Sequence, residues 1–203
     1  MKNLSNLNII LERLKAALNI GNIRLVQAIL YALREDSKKV YQYLIKPKVS
    51  VFEKKKYMDR MKEICMKYTE LIFHNIQTIS NMNISILIDT TGMLYKAGCI
   101  GIIDKIFEEL FTLCKKNLDN LAYLADTLIE CGCIDLAFKA LQYLLNKNYY
   151  NKPAVLINLA ISSYMLGSPR KAKFYAEAYE SLTRKTLTLK TSLRIVLGEV
   201  GGN

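Results

Sequence analysis

Three glycines constrain this chain more than any other feature. Gly98, Gly132 and Gly167 are separated by 34 and 35 residues, and each stands between two apolar, helix-like segments. Their surroundings repeat too. Lys96-Ala97-Gly98-Cys99-Ile100 is echoed by Glu130-Cys131-Gly132-Cys133-Ile134, and Met165-Leu166-Gly167-Ser168-Pro169 fills the third position. A fixed period near this length is what repeated helix–turn–helix units produce. Each hairpin leaves an apolar face that only a neighbouring hairpin covers, so such units stack. Gly21-Asn22-Ile23 makes the same turn earlier, at a distance from Gly98 that two repeats do not fill.

Helical periodicity extends through the rest of the chain. Leu4, Leu7, Ile10, Leu11, Leu14, Ala17 and Leu18 follow the spacing of one helix face. A second helix carries Leu25, Val26, Ile29, Leu30 and Leu33 toward Leu44, and Pro47 breaks it. Ser50-Val51-Phe52-Glu53 reads as a capping box opening a long helix, which the polar stretch Ser80-Asn81-Met82-Asn83 is expected to end. The expected organisation is therefore an N-terminal helical region, 1–80, followed by helical repeats, 81–203, with one continuous domain as the alternative. After Ser168-Pro169, an N-cap followed by proline at the first helical position, a helix runs through Ala172, Tyr175 and Ala176. The segment 186–197, with Leu187, Leu189, Leu193, Val196 and Leu197, is the natural cap for the last hairpin.

Small residues place these hairpins near a known family. Ala125 and Ala137 flank Gly132 at −7 and +5, and Ala160 and Ala172 flank Gly167 identically. With Pro153 before the third hairpin, residues 118–185 resemble tetratricopeptide repeats. Thr91 and Ile103 occupy the two small positions around Gly98, so 85–117 departs from the pattern. The run from Lys96-Ala97-Gly98 to Phe107-Glu108-Glu109-Leu110 also resembles a pentatricopeptide hairpin, the RNA-reading relative, although Leu87-Ile88-Asp89 is out of that family's register. The resemblance implies an all-α, right-handed superhelix of stacked antiparallel hairpins that binds a protein or peptide in its groove. Groove-facing positions would then include Asn120, Tyr123, Thr127, Asn158 and Ser162.

Charge is unevenly placed within a net +11. Residues 1–33 carry +3, 34–70 carry +5 and 170–203 carry +4, whereas 71–169 carry −1. Lys46, Lys48, Lys54, Lys55, Lys56, Arg60 and Lys62 form one basic set, and Arg170, Lys171 and Lys173 begin another. Such fields either keep a protein in solution or attract phosphate backbones, acidic membranes or acidic peptides. RNA or DNA binding through these patches is the rival expectation to peptide binding, and self-assembly through uncovered hairpins is a third.

Chemistry-bearing clusters are scarce. His74 is the single histidine, which excludes His-rich metal sites. Cys131-Gly132-Cys133 has one intervening residue where zinc and redox motifs need two. Glu108 and Glu109 are adjacent and diverge on a helix. Gly98-Cys99-Ile100-Gly101 lacks the spacing of a phosphate loop. Tyr149-Tyr150, flanked by Lys147 and Lys152, either staples two hairpins or offers a stacking surface. No cofactor, metal or catalytic residue is expected. Five cysteines, an odd number without a secreted-domain framework, predict reduced, mostly buried thiols in a cytoplasm-like compartment. No apolar stretch reaches the length of a membrane span, and polar residues interrupt any signal-like N-terminus.

Overall fold

The computed structural model describes residues 2–46, 50–99 and 101–184. Among them the regular structure is wholly α-helical: α1 (Lys2–Ile20), α2 (Ile23–Leu44), α3 (Val51–Lys96), α4 (Ile102–Cys114), α5 (Leu118–Glu130), α6 (Ile134–Asn146), α7 (Lys152–Met165) and α8 (Pro169–Thr183). They form two compact units, Met1–Leu113 and Cys114–Asn203.

In the first unit, most of the expected faces of α1 and α2 is buried: Leu7, Leu11, Leu14 and Ala17 on one, Val26, Leu30, Leu33 and Val40 on the other, whereas Leu25, expected on the same face, is exposed. Asn22 caps α2 by accepting from the Leu25 amide (3.1 Å). The run Val51–Lys96 is helical both before and beyond Ser80–Asn83, where an end was expected. It nevertheless doubles back. Straight, it would separate Cys65 from Lys96 by about 46 Å, yet the Cα atoms of Cys65 and Cys99 are 5.3 Å apart. Tyr68 faces Thr91, and Met58 lies against Gly98. The midpoints of these three pairs fall between residues 78 and 82, at or just before the polar stretch. The run is thus two antiparallel helical arms.

This reversal explains two corrections. The units divide at 113/114 and not near 80, because the stretch after the turn folds back onto the one before it within the first unit. Cys65 and Cys99 are joined by a disulfide across the hairpin arms and are not reduced thiols. Closing a loop of 34 residues stabilises such a fold by about 3–4 kcal/mol in the chain-entropy account. Cys114, Cys131 and Cys133 are free. The second arm is also tied to α2. Thr90 Oγ1 reaches the Leu30 carbonyl at 3.3 Å, and Arg34 pairs with Asp89 at 3.4 Å.

In the second unit, consecutive helices pack on one another around Leu121, Leu124, Ala125, Leu128, Ala137, Leu141, Leu144, Leu156, Leu159, Ala160, Ala172 and Ala176. The four alanines that carry the family resemblance are all buried. Gly132 and Gly167 turn the chain with positive φ, and Asn148 does the same between α6 and α7. Ser168 precedes α8 as expected but makes no side-chain cap hydrogen bond. Beside Leu145, Leu156, Phe174, Tyr175, Ala178 and Leu182 runs an open groove of about 530 Å³. The expected cap, 186–197, lies outside the described residues.

Candidate functional site

The geometry of the candidate face starts at two asparagine caps. Asn117 accepts from the Asp119 amide (2.9 Å) and more weakly from that of Asn120 (3.4 Å), fixing where α5 begins. Asn151 does the same for α7 through the Ala154 amide (3.4 Å), with Pro153 in the first turn. The apolar side of α5 is buried, which leaves Asn120, Tyr123 and Thr127 toward its outer side. Tyr123 is 38% exposed, while Asn120 and Thr127 are half-buried. The Thr127 hydroxyl donates to the Tyr123 carbonyl (3.0 Å), turning back on its own helix.

One bond joins the first helices of successive hairpins. Asn158 Nδ2, on α7, donates to Asp126 Oδ1, on α5, at 2.9 Å across 32 residues of sequence. The second helices meet likewise, where the Phe138 ring of α6 packs edge-on against Tyr175 of α8 (6.3 Å). All five residues expected at a groove thus lie on two helices tied to each other. Ser162 does not share the exposure of the others: it is fully buried and its hydroxyl has no protein partner. A residue one turn beyond Asn158 on α7 has rotated only slightly, but packing there closes over it.

Electrostatics distinguish this face. Asp119, Asp126 and Glu130 are exposed along α5 together with Tyr123. Partial burial, then the nearby Glu130 carboxylate, raise the Asp126 carboxyl above its ordinary range; the Asn158 hydrogen bond opposes them. Asp119 accepts from the Tyr149 hydroxyl (2.7 Å), so Tyr149 staples the loop before α7 to the start of α5. The Tyr150 ring lies tilted against that of Tyr149 (4.5 Å) and stays 79% exposed. These carboxylates escaped sequence reasoning, because their meaning depends on which helix lies beside α5.

The basic residues divide between the units. Arg170, Lys171 and Lys173 are exposed at the start of α8. Lys171 lies over the Phe138 ring (5.9 Å), and Lys173 approaches Glu177 (3.7 Å). In the first unit Lys46, Lys55 and Lys56 are exposed and Lys54 is half-buried. Lys62 pairs with Asp59 (3.2 Å). Lys48 and the Arg60 side chain lie outside what is described. Cys131 and Cys133 are half-buried at the α5–α6 turn, and His74 is exposed with Nδ1 at 2.7 Å from the Glu70 carbonyl. Among the described residues no three His, Cys, Asp or Glu side chains gather as metal ligands would.

No known protein family, curated protein or solved structure matches this chain.

Proposed function

We propose that the second unit is a non-enzymatic helical-repeat module of tetratricopeptide type, which binds an extended peptide along the side-by-side faces of α5 and α7. The observation that carries this reading is the Asn158–Asp126 hydrogen bond. It holds the first helices of two successive hairpins together, the arrangement on which a groove of stacked hairpins depends. Tyr123 supplies an exposed aromatic anchor, and aromatic anchors dominate peptide interfaces. Asp119, Asp126 and Glu130 favour a partner carrying lysine or arginine.

Selection of peptides against the full chain from a random displayed library tests the partner chemistry. The expected outcome is enrichment of sequences bearing basic side chains that bind at about micromolar affinity. Enrichment of acidic peptides, or of none, would sink the reading.

A further inference from the structure

The junction of α2 and α3 exposes two kinds of side chain together. Ile45 is 58% exposed, Val51 84% and Phe52 77%. Beside them in sequence Lys46, Lys55 and Lys56 are exposed and Lys54 is half-buried. Tyr43, near the end of α2, packs on Tyr57, near the start of α3, with ring centroids 4.9 Å apart, and Tyr57 is buried. The two helix ends are thereby pinned together, so their exposed residues share one end of the helix pair. On α3, Val51 and Lys55 are one turn apart, as are Phe52 and Lys56, which sets each apolar side chain beside a lysine on the same face. Among the described residues Lys46, Lys55 and Lys56 make no ion pair; the nearby carboxylate of Asp59 is engaged by Lys62.

Water accounts for the lysines and not for Val51 and Phe52, whose exposure is unfavourable. A nucleic-acid backbone would use the lysines and leave the aliphatic side chains of Ile45 and Val51 idle. A bilayer surface uses both, since anionic headgroups attract the lysines while the acyl boundary takes up the apolar side chains. We propose that this end of the α2–α3 pair is a peripheral contact for an anionic membrane surface. Ile45, Val51 and Phe52 enter the interface, and Lys46, Lys55 and Lys56 rest on the headgroups. The contact is superficial: no helix among the described residues is long and apolar enough to cross a membrane. It is independent of peptide binding, which concerns the other unit.

Co-sedimentation of the full chain with vesicles tests this, using phosphatidylcholine alone or with about 30% phosphatidylserine at about 0.15 M salt. The protein is expected to pellet with the anionic vesicles and not the neutral ones. The double substitution Val51→Ser, Phe52→Ser should lower partitioning at least about tenfold, and Lys55→Glu, Lys56→Glu should do the same. All four side chains face solvent, so circular dichroism should stay unchanged, and Ile45→Ser gives a second, single-site reading. Absence of pelleting by the wild type overturns the proposal, as does pelleting that the apolar substitutions leave intact. Retention on a single-stranded oligonucleotide without vesicle binding assigns the lysines to nucleic acid and overturns it equally.

Discussion

At the scale of single residues, Asp126 has an environment that makes its ionisation costly to the fold. Its folded-state carboxyl sits above the ordinary value of 3.8, through partial burial and then Glu130. A raised folded value contributes stability that is present below the unfolded value and lost as pH rises through the folded one. Near neutrality the ionised group therefore weakens the fold. Asp126→Asn keeps an acceptor for Asn158 and removes the charge, so its stability at pH 7 should equal or exceed wild type by up to about 0.5 kcal/mol. That advantage should vanish below about pH 4, which thermal melts across pH would check. The cysteines make a second residue-level prediction. Burial pushes the Cys114 thiol up to about 12, so it should resist alkylation until the protein unfolds. Iodoacetamide followed by peptide mass spectrometry should label Cys131 and Cys133 in the native protein, and Cys65 and Cys99 only after reduction. Labelling of Cys65 without reductant would contradict the disulfide. The repeat alignment set Cys99 beside Cys133 as a packing position and hid this pair. The usable signal was different: Cys65 and Cys99 are equally far from Met82, so an antiparallel hairpin turning there brings them together.

Among the elements, helix faces were legible and helix neighbours were not. The apolar spacing of α1, α2 and α8 picked out much of the sides that are buried, because burial of one face is what gives a helix its period. The polar stretch 80–83 lies next to a change of direction. Asn158 and Tyr123 could be named from position within a repeat, whereas the acidic character of the face came from residues whose neighbours only packing reveals. Gly98 offers the sharpest test at this scale. Its φ is +112°, well beyond the left-handed well that Gly132 approaches at +78°, while the Met58 sulfur that an added Cβ would meet ends a flexible side chain and can move aside. Gly98→Ala should cost about 2–3 kcal/mol, and Gly132→Ala about 1–2 kcal/mol, measured by urea unfolding. Equal losses would contradict the more strained backbone at Gly98.

For the whole molecule, net positive charge is shared almost evenly between two units that the sequence does not mark with a linker, and only its placement differs. The first unit carries the basic, partly apolar end of α2 and α3; the second carries an acidic, aromatic face on α5 next to α7. Net charge alone pointed to nucleic acid, since +11 says nothing of where the carboxylates gather. We propose above that this α5–α7 face recognises a basic peptide. The most direct measurement of that is the affinity of a selected lysine- or arginine-containing peptide for wild type and for Tyr123→Ala, by fluorescence anisotropy. The account predicts that binding weakens by about five- to thirtyfold, equivalent to about 1–2 kcal/mol at a peptide anchor, with circular dichroism unchanged. Equal affinity for the two proteins would contradict it.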